Sequence, residues 1–427
     1  MKTHTIFFVL LYMFIFYSAN VQGQWIPVSK GTAYSFAADD KYIYAGLSYF
    51  QDSTAQYRIL RSSDMGVNWE NISNGILSTV YSLVVKDSLL FAGVLNSIFV
   101  SSDNGDNWKQ TSFSTTGAVV RSLIVIDSAI FAGTAGREGD IDTLGGVFCS
   151  TDDGKTWISK NNGLMMSNGA RGRITSFATI DTDLFTGALM QGIFHSSDKG
   201  ESWNHLWSNG TVNTLAVIDS ALFAGFDLGA VFRSIDKGIT WTHCDSGLAD
   251  SINKDFTILS LAVSGKNLFA GTMFHGVYAS YDLGESWVAV NSGLTMKPGD
   301  VCSIFVNEPY IFISTNKDTI WRRTLAEMIT NVENSLPNNP YAFLLEQNFP
   351  NPFNGATVIR YKLANNGFVT LKLYDILGRE VEILVNESKN AGDYSMNFNA
   401  NQLSSGVYLY RLTVNEMSIV KKMILLQ

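Results

Sequence analysis

Acid–base chemistry needs carboxylates, and this chain holds them in two settings. One is periodic. The phrase Ser-x-Asp-x-Gly-x-x-Trp occurs at Ser62–Trp69, Ser101–Trp108, Ser150–Trp157, Ser196–Trp203, Ser234–Trp241 and Ser280–Trp287. Its acids are Asp64, Asp103, Asp152, Asp198, Asp236 and Asp282, followed by Gly66, Gly105, Gly154, Gly200, Gly238 and Gly284 and then by Trp69, Trp108, Trp157, Trp203, Trp241 and Trp287. A short carboxylate beside a glycine is turn chemistry. Its oxygen accepts backbone N–H groups about two residues on, and glycine takes positive φ without a Cβ clash. The indole then brings a large apolar surface with one N–H to satisfy. These aspartates read as turn staples, neither catalysts nor metal ligands. The second setting is scattered: Asp227, Asp250, Asp255 and Asp300 could supply a pair for glycoside hydrolysis, but no spacing selects one. The acidic loop Arg137–Asp142 could offer oxygen ligands to a cation, yet it lacks a full set and reads as a solvated insertion. The five histidines show no metal-ligand spacing, and no glycine-rich loop opens a helix after a strand. No metal or cofactor is expected.

Turn staples imply strands to staple. The six box aspartates are spaced 38 to 49 residues apart, a period that with short strands points to a propeller. Each unit shares one grammar. A first strand reads like Val80–Val85, a second like Leu89–Gly93, a third like Ser97–Val100, and a fourth starts at the box Trp. First strands fall at Ala33, Val80, Val120, Ile174, Val212, Ile258 and Val301, giving seven units for six boxes. The seventh unit lacks its fourth strand. Trp25–Gly31 copies the pattern that follows the last box at Trp287–Gly293, so the N-terminal strand should close the ring and remove an exposed edge.

One position in each unit varies. The second residue of the first strand is Tyr34, Tyr81, Arg121, Thr175, Asn213, Leu259 or Cys302, and the next residue is always Ser or Thr. Uniformity suggests a packing constraint, and variety suggests side chains that face something other than a repeated neighbour. The loops between second and third strands open at the same end, opposite the boxes. The long insertions Ser48–Gln56, Thr134–Gly145, Asn161–Arg173 and Asp245–Phe256 also fall there. Apolar and aromatic groups with a few polar ones suit a ligand site. Tyr34, Tyr81, Arg121 and Asn213 are therefore expected to ring a channel mouth, with Phe226, Asp227, Phe274 and His275 on the loops above.

Composition narrows the function class. The chain has 427 residues, a net charge of -8, 46% apolar and 16% charged residues. That supports a large core and argues against a nucleic-acid partner. Cys149, Cys244 and Cys302 are odd in number and each sits in a strand-like run, so they read as small core residues. Lys2 followed by an apolar run from Ile6 to Tyr17 fits a signal peptide over residues 1–23, leaving Gln24 as the new N-terminus. No later run is long and apolar enough to span a membrane. The propeller is expected over 24–325 and a polar linker over 326–341. Short alternating strands punctuated by Gly378, Gly392 and Gly406 then predict a small immunoglobulin-like β-sandwich over 342–427.

Two resemblances add to this reading. The repeated phrase resembles the Asp-box, or BNR repeat, of sialidase-type and sortilin-type propellers, a fold with many functions. Tyr57-Arg58-Ile59-Leu60 faintly resembles the arginine motif that opens sialidases, but it lacks the proline and runs straight into the first box, so Arg58 reads as an ordinary third-strand residue. The last segment is similar to the C-terminal sorting domain of the type IX secretion system. The matching stretches are Leu345–Asn354, Leu373–Val381, Leu403–Tyr408 and Lys421–Leu426, with Gly355 where that family commonly has a second proline. That resemblance implies passage across the outer membrane by the type IX machinery, usual removal of the domain, and release or anchoring at the cell surface. The expected function is a non-enzymatic surface or secreted module for a glycan or protein ligand. An extracellular sialidase-like glycoside hydrolase and a structural surface-assembly protein are the alternatives.

Overall fold

The computed structural model describes residues 24–328 and 343–426, apart from 52–53, 137–144, 165–171, 208–209, 228–230, 249–255, 295–298, 364–365, 376–378, 401–402 and 415–416. The signal-peptide reading and residues 329–341 of the linker lie outside these residues, whereas 326–328, read as linker, are helical and Met328 is buried in the propeller core. Asp250, Asp255 and the whole acidic loop Arg137–Asp142 lie outside the described residues too. The chain divides into two compact units, one up to Ile329 and one from Thr330.

The first unit is a seven-bladed propeller. Blades 1, 4, 5 and 6 are four-stranded antiparallel sheets in chain order, with first strands at Thr32–Ala38, Ile174–Ile180, Val212–Ile218 and Ile258–Ser264. Blades 2 and 3 share one long strand, Lys109–Ile126, and so form a single seven-stranded sheet. Its beginning is the fourth strand of blade 2 and its end is the first strand of blade 3. Blade 7 takes Val301–Asn307, Tyr310–Thr315 and Thr319–Thr324 from one end of the propeller and Ile26–Lys30 from the other. Trp25 lies 2% exposed in the core beside Trp321, its Nε1 donating to Val290 O (2.7 Å). A short helix at 325–328 follows, with Leu325 and Met328 buried in the same cluster.

The inner strands touch through one repeated joint. Each second strand of blades 1–6 carries a glycine: Gly46, Gly93, Gly133, Gly187, Gly225 and Gly271. A Cβ there would lie 2.4–2.7 Å from a methyl of Val80, Val120, Ile174, Val212, Ile258 or Val301 of the next blade. At the closing joint the chemistry changes. Ser314 replaces glycine, its partner is the smaller Ala33, and Ser314 Oγ accepts the Ala33 N–H (2.6 Å). The Ser or Thr of most first strands also bridges blades, although the buried Ser176 Oγ has no such partner. Ser35 Oγ accepts Leu83 N–H (2.7 Å), Ser82 Oγ donates to Val120 O (2.9 Å), and Ser303 Oγ donates to Ala33 O (2.7 Å). The constraint at that position is thus hydrogen bonding between inner strands, where the sequence suggested packing.

The repeated turns differ in detail from the sequence reading. In all six the box serine, not the aspartate, holds the glycine. Ser Oγ accepts the Gly N–H at 2.8 Å and donates to Asp Oδ1 at 2.7–2.9 Å. The aspartate reaches four residues on, not two. Its Oδ1 accepts the N–H of the residue before Trp at 2.8–2.9 Å, and its Oδ2 accepts that residue's side chain. That residue is Asn68, Asn107, Thr156, Ser202, Thr240 or Ser286, so the phrase has a further fixed polar position. These bonds hold Asp64, Asp103, Asp198 and Asp236 down at about 2. Trp108, Trp203 and Trp287 donate to carbonyls of the preceding blade, at Ile72, Lys160 and Cys244, whereas Trp69 and Trp241 return to their own box glycine.

The second unit is a sandwich of a three-stranded sheet, Phe343–Leu345, Ala356–Leu363 and Gly392–Asn399, on a four-stranded one. The latter runs Glu380–Lys389, Gly367–Asp375, Gly406–Val414, Met417–Leu425 in spatial order. Ile359, Val369, Leu371, Leu373, Tyr410 and Leu412 fill its core. The opening motif clasps the last strand: Asn351 Oδ1 accepts Ile424 N–H (2.8 Å), and Phe353 N–H donates to Ile424 O (3.0 Å).

Candidate functional site

Antiparallel order puts four features at one end of the propeller: the starts of first and third strands and the ends of second and fourth strands. The box turns, between third and fourth strands, are at the other end. At the first of these ends every inner strand is interrupted in the same way. In blade 1, Ala33 pairs with Leu47 and Ser35 with Gly46, leaving Tyr34 without a partner across the ladder. In the same way the ladder register skips Arg121 between Val120 and Ser122, and likewise Thr175, Asn213, Leu259 and Cys302. In blade 2, Tyr81 N–H donates to Gly93 O (2.9 Å) although Gly93 is already the ladder partner of Ser82. The variable residue of each unit is therefore the extra residue of a β-bulge. A bulge bends its strand and re-aims one side chain. Nothing in the residue types announced it, because Tyr, Arg, Thr, Asn, Leu and Cys share no propensity for it.

Several bulged side chains converge. The rings of Tyr34 and Tyr81 lie 5.7 Å apart. Tyr34 is 43% exposed, and its phenol is pushed up by burial first, then by Cys302, Tyr81 and Asp318, against Arg121. Cys302 is half-buried, not a core residue; burial pushes its thiol up to about 12. Cys149 and Cys244 are buried as expected. Across the ring, Asn213 Nδ2 donates to Asp227 Oδ1 (2.7 Å) and to Ile258 O (2.9 Å). Asp300 pairs with Asn316, whose Nδ2 donates to Asp300 Oδ2 (2.7 Å). Burial raises the Asp300 carboxyl, and the Phe274 N–H opposes this.

The loop residues separate into two kinds. Phe274 is exposed and Asp227 is exposed. Phe226 is not available: it is 5% exposed and packs on Trp207 (5.5 Å) and Phe232 (5.1 Å). His275 turns back to its own blade, with Nδ1 against Met273 O (2.7 Å) and its ring on Phe256 (4.8 Å). Arg58 lies on the third strand of blade 1, opposite Leu47. The Ser48–Gln56 stretch is no insertion but a continuation of that hairpin, pairing as far as Gln51 with Thr54. Among the described residues no group of histidine, cysteine and acidic side chains could hold a metal ion.

Comparisons with known proteins agree with this architecture. No curated protein matches the chain in sequence. Solved structures match its fold at low identity. The chain is similar to PorZ, an essential bacterial surface component of the type IX secretion system of Porphyromonas gingivalis (13% identity, 93% of this chain and 60% of that one, TM-score 0.52). It is also similar to a GH74 xyloglucanase from Xanthomonas campestris (14%, 79% and 59%, TM-score 0.55). YCF48, solved with a D1 peptide, matches 71% of this chain over 95% of its own (14%, TM-score 0.54). The chain thus spans about 60% of the length of PorZ and 46% of an extracellular domain from B. thetaiotaomicron. Among the described residues no helix is long and apolar enough to cross a membrane. Residues 347–426 match the secretion system C-terminal sorting domain, and the protein is exported across the outer membrane, to the cell surface or beyond it.

Proposed function

We propose that this protein is an exported binding module of the Asp-box propeller kind, with a glycan or protein ligand taken at the bulged end of the ring. One observation carries the reading. All seven units spend the same backbone irregularity on a position that holds six residue types, only Tyr34 and Tyr81 being alike. A purely structural bulge would repeat its side chain as the box repeats its own. Tyr34, Tyr81 and Arg121 form an aromatic and cationic arc, and Asn213 with Asp227 forms a polar arc. Among the described residues the bulges supply one arginine, Arg121, which favours binding over the arginine cluster that a sialidase-type site requires. The sorting domain supplies the route and the propeller the activity, so the type IX machinery is the partner of residues 342–427.

The test is an array of glycans and peptides probed with the full protein and with a Tyr34→Ala/Tyr81→Ala/Arg121→Ala variant. Ligands retained by the native protein should be lost by the variant while its melting temperature holds. Retention of every ligand by the variant would move the site off the ring.

A further inference from the structure

Two hairpin tips at the bulged end hold backbone conformations that their side chains disfavour. Met190 has φ +59° and Phe274 has φ +64°. Left-handed backbone crowds a Cβ against the following carbonyl, and beyond glycine only asparagine and aspartate adopt it readily. The corresponding tips of blades 2 and 7 comply, with Asn96 at φ +66° and Asp318 at φ +55°. Blades 4 and 6 place a thioether and a phenyl ring there instead. Neither is compensated by burial, for Met190 is 71% exposed and Phe274 62%. The surrounding backbone fixes both tips. Met190 N–H donates to Thr211 Oγ1 (3.0 Å), Met273 N–H donates to Thr257 O (2.9 Å), and Thr272 Oγ1 donates to Gly276 O (2.8 Å). Met65, Lys199, Lys237 and Leu283 take the same backbone inside the box turns, where the repeated serine and aspartate bonds impose it. The two tips lie outside that repeated device, and over-determined strain at such exposed positions points to function.

Blade 5 lies between these tips, and its polar groups are polarised. Asn213 spends both amide hydrogens inside the protein, on Asp227 Oδ1 and Ile258 O. Its own Oδ1 is left to accept. Thr175, one blade back, donates its hydroxyl to Val212 O and likewise offers lone pairs. Asp227 adds an exposed carboxylate. The arc between the two apolar tips therefore accepts hydrogen bonds, carries negative charge and has no donor from these three side chains to give. A ligand group seated there must donate and is favoured if cationic.

We propose that Met190 and Phe274 are paired apolar contact tips for an extended peptide segment carrying a cationic side chain between two apolar ones. The cation sits on Asn213 and Asp227, and the apolar groups lie against the thioether and the phenyl ring. This rests on the bulged end being the binding face and names the class of ligand it takes. The tips cost stability in the free protein, which separates this role from packing.

A random peptide library displayed on phage and selected against the full-length protein tests it. Selected peptides should share the apolar–cation–apolar pattern. A Met190→Asn/Phe274→Asn variant should bind them at least about tenfold more weakly, yet melt about 1–3 °C higher, because asparagine tolerates the left-handed backbone. An Asp227→Asn variant should keep the apolar preference and lose the preference for the cation. A selection that yields no such pattern overturns the proposal, as does a tip variant that binds equally well or melts lower than the native protein. The Tyr34→Ala/Tyr81→Ala/Arg121→Ala variant reports separately: unchanged peptide binding by it removes the Tyr34, Tyr81 and Arg121 arc from the site while the tip result stands.

Discussion

The two ends of the propeller use repetition differently. At the box end the backbone device and the side chains repeat together: six turns carry the same serine, aspartate, glycine and tryptophan, with the same four hydrogen bonds around each aspartate and serine. At the bulged end the device repeats and the side chain does not. A residue repeats when every blade has the same local need, here a satisfied turn. A residue that varies on a fixed backbone support meets a need that differs around the ring, and only something outside the repeat imposes that. Identical turns therefore belong to folding, and the differing bulges are where recognition is to be sought.

That contrast can be broken at several strengths. The largest effect should come from the strand that closes the frame both ends share. Trp25→Ala empties a buried indole site and should cost about 3–5 kcal/mol; calorimetry that shows an unchanged melt would mean closure contributes little. Next are the glycine joints. A Cβ at Gly133 would stand 2.4 Å from Ile174 Cγ2, so Gly133→Ala should cost about 1–3 kcal/mol. Adding Ile174→Ala should not worsen it by a full buried-isoleucine loss, since the two changes share one space.

The box turns come third. Ser101→Ala leaves the buried Gly105 N–H without its acceptor and should cost about 1–3 kcal/mol. The turns also predict a pH dependence. Asp64, Asp103, Asp198 and Asp236 are held at about 2 against an ordinary 3.8. Their stabilising bonds are complete above the ordinary value and are lost as the pH falls through the folded one. Acid titration of stability should fall between about pH 4 and pH 2, with the same onset in the native protein and in ring variants. The smallest stability effect belongs to the bulged end: Tyr81→Ala and Arg121→Ala should each stay within about 0.5 kcal/mol of native in denaturant titrations. A larger loss at either would place that residue with the folding chemistry of the opposite end.

Much of the frame was legible in residue order because its causes are local. The period of the boxes, the seven first strands and the likeness of Trp25–Gly31 to Trp287–Gly293 all led to the observed ring. What residue order concealed was non-local. The serine of the box was readable as a fixed letter, but its role in holding the glycine N–H depends on a turn that positive φ at both Asn104 and Gly105 creates. The polar residue before each Trp was visible too, and its constancy as Asn, Ser or Thr was a missed signal for the aspartate's second oxygen. The bulges have no letter of their own and exist because inner strands must converge. Phe226 and His275 illustrate the remaining gap. Loop position placed them at the site, but aromatic neighbours draw them inward, Trp207 of the preceding blade for Phe226 and Phe256 for His275.

The closing strand has a consequence for how the protein is made. Ile26 pairs with Arg322, a partner synthesised about 300 residues later. At ribosomal rates of roughly 5–20 residues per second, the first strand waits on the order of tens of seconds with its tryptophan unsheltered. Six blades can be assembled in that interval, but the ring stays a horseshoe. The sorting domain is synthesised only after the last strand of the ring, so its appearance reports that the parts for closure have been delivered.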